Sequence, residues 1–232
     1  MTVERRELLL ARGLSKSFYE REGLGNTIAR RLRRHIRGKS ATSYVFSGAN
    51  FTLLPGECVA LLGGNGSGKS TFLRCLAGVL EPTEGEVMRI GRMAALLSHG
   101  FGAYEDLQVQ SIMILAQQLL GATAREARAN LPLVAETADL NARLTNPTSH
   151  LSEGMRAKIA LSALAHTPFQ VALLDESLNH VDQEFRNLFL DFTRKWIKQG
   201  RSLVMTSHED SLLQKFATRR IILHEKNLVE MD

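Results

Sequence analysis

The chain has 232 residues, of which 44% are hydrophobic and 23% charged, the balance of an ordinary globular core, and it carries no internal repeat and no low-complexity tract. Its length admits one or two domains, and such a chain buries roughly 70% of its unfolded surface without covalent staples. No apolar run approaches the ~18 residues of a membrane span, and the start Met1-Thr2-Val3-Glu4-Arg5-Arg6-Glu7 lacks a secretory apolar region. Cys58 and Cys75 have no metal-type spacing and read as two buried thiols of a reducing compartment. The net charge of +5 is local: without Arg30, Arg31, Arg33, Arg34, Arg37 and Lys39 the rest of the chain is −1. That distribution argues against a nucleic-acid-binding face spread over the whole molecule.

Strand-like runs are expected near Leu8–Ala11, Tyr44–Leu53, Glu57–Leu62, Glu86–Ile90, Met93–Leu97, Val171–Leu174, Ser202–Thr206 and Arg220–His224. Helical patterns are expected at Ser70–Leu80, Gln110–Leu120, Ala124–Ala138, Ser152–Ala165, Gln183–Gln199 and Glu209–Phe216. Strands that alternate with helices predict an α/β fold with a parallel core sheet covered on both faces. The stretch from about 108 to 166 is almost wholly helical and is expected to form a separate lobe. Pro55-Gly56 marks a tight turn before the third strand.

The segment Gly63-Gly64-Asn65-Gly66-Ser67-Gly68-Lys69-Ser70-Thr71 fills every fixed place of the phosphate cradle G-x-x-x-x-G-K-[ST]. Glycines let the backbone turn tightly and present N–H groups to phosphate oxygens. The helix that follows aims its positive end at the same oxygens. Lys69 is expected to reach the β and γ phosphates, and the Ser70 hydroxyl to ligate Mg²⁺. A glycine-rich turn with no ligand is the alternative, and the strand before and helix after speak against it.

Val171-Ala172-Leu173-Leu174 is an apolar strand that runs into Asp175 and Glu176. Its end emerges at the carboxyl edge of the sheet, where open α/β sheets bind ligands. Asp175 is expected to hold Mg²⁺ through water, and Glu176 to orient and polarise the attacking water. Alone, such a pair would be an acidic strand end meeting solvent. Leu203-Val204-Met205-Thr206-Ser207 leads into His208, which is either a polar strand terminus or a hydrogen-bond donor to the γ phosphate and the water. In Leu151-Ser152-Glu153-Gly154-Met155, Ser152 is a natural N-cap and Gly154 permits close backbone approach.

Taken in order, these segments resemble the ATP-binding cassette (ABC) transporter ATPase subunits. The cradle Gly63–Thr71, the signature at Leu151–Met155, the strand Val171–Glu176, the loop Asn179-His180-Val181-Asp182 and His208 match that family's motifs, across nearly the whole chain. Glu153 stands where the family signature has its first glycine, and Met155 where it has glutamine. The family's Gln-containing loop falls near Leu97–Phe101, where Ser98 or His99 occupies the glutamine position. These departures, and Ser177 rather than proline after the acidic pair, resemble the capsule, O-antigen and teichoic-acid polysaccharide exporters. Tyr44-Val45-Phe46 before Asn50-Phe51 is similar to the strand before the cradle in that group.

The resemblance implies a P-loop NTPase with a RecA-like parallel core sheet flanked by helices, an antiparallel β subdomain and a helical lobe. Residues 1–232 would form one nucleotide-binding domain, with a basic insertion at about 20–41 and the lobe at about 108–166. It implies ATP and Mg²⁺, an aromatic stacked on adenine at Phe18 (with Tyr19 as the alternate, or Phe18 as ordinary core), and a head-to-tail dimer. In that dimer the Ser152 hydroxyl and Gly154 N–H of one copy donate to the γ phosphate held by the other, and Asp182 is a further nucleotide-binding position. It implies a membrane permease as partner and residence at the cytoplasmic face of the membrane. Phe18 lies 45 residues before Gly63, about twice the family's gap, and the surplus is the basic segment. Leu24, Ile28, Leu32 and Ile36 recur every four residues there, with arginines on the other faces. Such a helix suits anionic lipid through Arg30–Lys39, or else docks on its own domain. The sequence ends at Asp232 soon after the last strand, so no appended carbohydrate-binding domain is expected. An ABC ATPase for another transported substrate, or a soluble non-transport ABC ATPase gripping nucleic acid through its arginines, are the competing readings.

Overall fold

A computed structural model describes residues 7–19, 42–97, 106–206 and 217–231. The strands are β1 (Leu9–Tyr19), β2 (Thr42–Leu53), β3 (Cys58–Leu62), β4 (Glu84–Arg89), β5 (Met93–Leu96), β6 (Val171–Asp175), β7 (Ser202–Thr206), β8 (Arg219–His224) and β9 (Asn227–Met231). The α-helices are α1 (Lys69–Ala77), α2 (Val109–Leu119), α3 (Ala124–Thr137), α4 (Glu153–Ala165) and α5 (Gln183–Lys198). They build two sheets, one ordered β2-β1-β4 and the other β5-β6-β7-β3-β8-β9. The small sheet is antiparallel. The large one is parallel from β5 through β8, and β9 closes its edge as an antiparallel hairpin.

The alternation of side chains along the central strands decides how the layers assemble. Cys58, Ala60, Ala172, Leu174, Leu203 and Met205 face one buried cluster, shared with α2, α4 and α5. Val59, Leu61, Val171, Leu173 and Val204 face a second cluster, shared with α1 and the three-stranded sheet. Both faces of β3, β6 and β7 are therefore apolar, as a doubly covered parallel sheet requires. The helical stretch forms α2, α3 and α4 with one-turn 3-10 segments at Asn141–Arg143 and Thr148–His150, and its core is continuous with the sheet's.

Several elements differ from the sequence expectation. β1 runs on to Tyr19, because Gly13 (φ +56°) and a run of register shifts reset the alternation after Ala11. Its last residue pairs with the first of β2, Tyr19 opposite Thr42. β4 begins at Glu84 and ends at Arg89; at Gly85 (φ +83°) a Cβ would fall 2.5 Å from the carbonyl oxygens of Arg12 and Gly13. α1 stops at Ala77 because Gly78 takes a left-handed conformation and turns its N–H back onto the Arg74 and Cys75 carbonyls. β9 was not expected: Glu225 (φ +46°) and Lys226 (φ +67°) make its two-residue turn without the glycine that usually announces one. The expected helix Glu209–Phe216 lies outside the described residues.

Candidate nucleotide site

Strand β3 delivers the chain into the cradle, and steric demand explains Gly63 and Gly68. At Gly63 (φ +148°) a Cβ would lie 2.6 Å from the Ser67 Oγ and 2.7 Å from the Leu223 carbonyl oxygen. At Gly68 (φ +106°) it would strike Val45 Cγ1 at 2.4 Å. The turn is closed by Ser67 N donating to Gly64 O at 3.2 Å. Gly68 is also the N-cap of α1 and offers no side-chain cap, so the first-turn N–H groups face the cradle. The Lys69 ammonium donates to the carbonyl oxygens of Gly63 (2.8 Å) and Gly64 (3.1 Å) and is nearly buried. The Ser67 Oγ is buried with no hydrogen-bond partner among the described residues.

A cavity of about 380 Å³ opens over this loop. Asn65, Gly66, Gly68, Lys69, Ser70 and Thr71 form one side, with Val45 from β2 and Glu176 from the end of β6. Gly63, Gly64 and Ser67 shape the loop without lining the cavity. A tight loop of N–H donors at a helix N-terminus and an ammonium form the donor set that a polyphosphate takes.

Glu176, the second member of the acidic pair, meets the cradle at this cavity. Asp175 is buried and ends β6 opposite Thr206 of β7. Thr206 Oγ1 donates to Asp175 Oδ1 at 2.7 Å. Glu176 then turns to φ +53°, a left-handed conformation that a non-glycine residue holds only when its surroundings enforce it. Its N–H donates to Thr206 Oγ1 (3.0 Å) and to Thr206 O (3.3 Å), and its carbonyl accepts from Asn179 N (3.2 Å). A hydroxyl at Ser70 and a carboxylate at Asp175 are hard oxygen donors, which fit Mg²⁺ sharing its remaining positions with phosphate and water. No group of three or more His, Cys, Asp or Glu side chains among the described residues forms a self-sufficient metal cluster.

The signature lies elsewhere. Ser152 caps α4, its Oγ accepting from Met155 N at 3.2 Å. Gly154 is pressed against the carbonyl oxygen of His180. Glu153 Oε1 lies 3.4 Å from His180 Nδ1. Asp182 caps α5 by accepting from Phe185 N (2.9 Å) and pairs with Lys158, whose ammonium holds the Asp182 carboxyl below the usual carboxylate range. None of Ser152, Gly154 or Asp182 lines the cavity of its own chain.

Phe18 is not core: it is about half exposed on β1, with the Lys16 ammonium 5.2 Å from its ring centroid. It does not line the cavity either. His208, Ser98, His99 and the basic segment lie outside the described residues, as does the Tyr19 side chain. Val45 and Thr206 were missed as site residues by sequence reasoning. For Thr206 a signal existed, a hydroxyl that follows the apolar run Leu203-Val204-Met205 at the carboxyl end of a buried strand.

Residues 46–179 match the family "ABC transporter". Over 220 residues the chain is 28% identical to the O-antigen export system ATP-binding protein RfbB of Myxococcus xanthus, an alignment covering 92% of this chain and 50% of that protein. It is 32% identical over 182 residues to RfbB of Klebsiella pneumoniae (78% and 74% covered). It is 27% identical over 198 residues to the teichoic acids export ATP-binding protein TagH of Listeria monocytogenes (83% and 57%). The chain thus spans about half the length of the first of these relatives. An ATP-binding subunit of an ABC transporter superposes with a TM-score of 0.75 at 23% identity, covering 95% of this chain and 88% of that one. A dimeric post-hydrolysis ATP-binding cassette bound to ADP and Pi also gives 0.75, at 19% identity, covering 97% and 98%. Both show that the fold is shared.

Proposed function

This chain belongs to the ABC transporter family, and from that footing we propose that it is the ATP-binding and ATP-hydrolysing subunit of an exporter that moves a polysaccharide or lipid-linked glycan across the cytoplasmic membrane. One observation carries the catalytic part: the cradle and Glu176 line the same cavity. The glycan part is supported by relatives named for O-antigen and teichoic-acid export. Those names favour it over transport of another substrate or a soluble role on nucleic acid.

The cradle's N–H groups and the N-terminus of α1 bind the phosphates, and Lys69 neutralises the β and γ oxygens. Lys69 has three N–H donors and the loop carbonyls take two, so its ammonium is held in position with a donor to spare. Mg²⁺, when bound with the nucleotide, adds charge neutralisation at those oxygens, with Ser70 and Asp175 as the residues that would hold it. Glu176 polarises the attacking water, and His208 hydrogen-bonds the γ phosphate. Phe18 stacks on the adenine, which needs a half-exposed ring.

Ser152, Gly154 and Asp182 act on the nucleotide of a second copy, arranged head to tail. Their absence from their own chain's cavity supports this, as does the dimeric cassette with the same fold. The helical lobe passes closure and reopening to a membrane permease. Among the described residues no helix is long and apolar enough to cross a membrane. The relatives named as ATP-binding proteins of export systems support a peripheral place at the cytoplasmic face. Arg30–Lys39 adds contact with anionic lipid there.

Glu176→Gln tests the reading in one strain. The purified variant is expected to bind ATP with wild-type affinity and to lose roughly 10²-fold or more of its turnover. Cells carrying it are expected to accumulate the lipid-linked glycan inside. Wild-type hydrolysis by this variant would discard the role given to Glu176, and normal surface glycan in cells that lack hydrolysis would discard the export role.

A further inference from the structure

We infer that Thr206 is a positioning residue that aims both members of the acidic pair through one hydroxyl; this rests on the roles proposed above for Asp175 and Glu176. The geometry has three parts. Thr206 Oγ1 donates to Asp175 Oδ1 at 2.7 Å, a short charge-assisted bond inside the protein, which fixes the carboxylate's rotation and leaves Oδ2 for another partner. The same oxygen accepts from the Glu176 N–H at 3.0 Å. The Thr206 carbonyl oxygen lies 3.3 Å from that N–H, so one residue holds the amide by two acceptors.

These bonds have a purpose in the local backbone. Glu176 sits at φ +53°, a conformation that disfavours any residue with a side chain. An ordinary extension of β6 would send residue 176 to the opposite side of the sheet from residue 175. The left-handed step instead turns the chain at the point where Glu176 lines the cavity. Thr206 is well placed to enforce that step. It is the register partner of Asp175 on the adjacent parallel strand, and it is 3% exposed, so no water competes for its hydroxyl. Its branching at Cβ restricts the side-chain rotamers and so leaves the hydroxyl few orientations. A residue two places before the expected γ-phosphate histidine thus couples β7 to the carboxylates at the end of β6.

The test compares Thr206→Val, which keeps the shape and removes the hydroxyl, with Thr206→Ser, which keeps the hydroxyl. Thr206→Val is expected to lower kcat by about 10- to 100-fold, the usual scale for losing a support behind a ligand. ATP affinity without divalent ion stays at the wild-type value. Thr206→Ser retains most of the turnover. Two readouts are independent of turnover. Mn²⁺ affinity of the nucleotide complex, measured by electron paramagnetic resonance, falls in Thr206→Val and is held in Thr206→Ser. Amide hydrogen exchange at Glu176 in the nucleotide-free protein speeds up in Thr206→Val alone. A valine variant with normal kcat, Mn²⁺ affinity and Glu176 exchange overturns the inference, as does a serine variant that falls as far as the valine. If the valine variant does not fold, Thr206→Cys, similar in size with a weaker donor, takes its place under the same criteria. Glu176→Gln run alongside separates the two failures. A dead Glu176→Gln with a normal Thr206→Val sinks only the inference, whereas an active Glu176→Gln sinks the reading beneath it.

Discussion

The carbonyl oxygen of His180 stands so close to Gly154 that a Cβ added there would lie 2.9 Å away. This contact joins the first turn of α4 to the loop before α5, and polar pairs reinforce it on either side. Glu153 reaches His180, and Lys158 reaches Asp182. The start of the signature helix and the loop that follows the acidic pair therefore move together.

Gly154→Ala is expected to push that loop away by a few tenths of an ångström or more and to destabilise the protein by about 1–3 kcal/mol, the range for overpacking. Turnover should fall while ATP binding to the isolated subunit stays unchanged, because position 154 lies outside its own chain's cavity. A thermal melt, an ATPase assay and a nucleotide titration check the three parts. Because alanine also favours the helix by about 1 kcal/mol, a raised melting temperature would show that the close approach carries no energetic weight.

Arg89 presents a second case. Its Nε donates to Leu76 O at 2.7 Å and its Nη2 to Cys75 O at 2.8 Å, so β4 of the small sheet caps the end of the cradle helix with a cation. Arg89→Met keeps the aliphatic stem and removes both bonds. We expect a loss of about 1–2 kcal/mol, which for a chain of this size is a melting temperature lower by about 2–8 °C. Differential scanning calorimetry checks it, and no shift would mean that water replaces the guanidinium without cost.

The start of α3 sets an acid limit. Glu126 accepts from Thr123 N at 2.7 Å in a capping box and from Arg92 Nη1 at 3.2 Å. The Thr123 backbone bond above all, then its side chain and Arg92, hold the Glu126 carboxyl at about 2 instead of 4.5. A carboxyl depressed by folding adds stability that is complete above 4.5 and fades as pH falls toward 2. Glu126→Gln should therefore lower stability at neutral pH and leave a flatter loss between pH 4.5 and 2. Urea unfolding at a series of pH values checks it, and parallel curves for variant and wild type would contradict it.

What the sequence disclosed follows from how local each constraint is. The cradle was legible because phosphate binding dictates its glycines and Lys69 within nine consecutive residues. The buried strands ending at Asp175 and Thr206 were legible because both their faces are apolar. Val45 was not seen as a site residue, since only the packing of β2 over Gly68 brings it there. The grip of Thr206 on Asp175 and Glu176 needs the register of β6 and β7, which no local pattern encodes. The full length of β1 was hidden by its irregular pairing around Gly13, and β9 by a turn without glycine and by its mostly exposed side chains.

Tyr19 and Thr42 face each other across the end of an antiparallel ladder, so the arginine-rich stretch leaves and re-enters the domain at neighbouring backbone positions, only about 5 Å apart. A gap that narrow is one a tight hairpin link spans. The number of residues between Tyr19 and Thr42 is therefore decoupled from the register of every strand in the nucleotide-binding body.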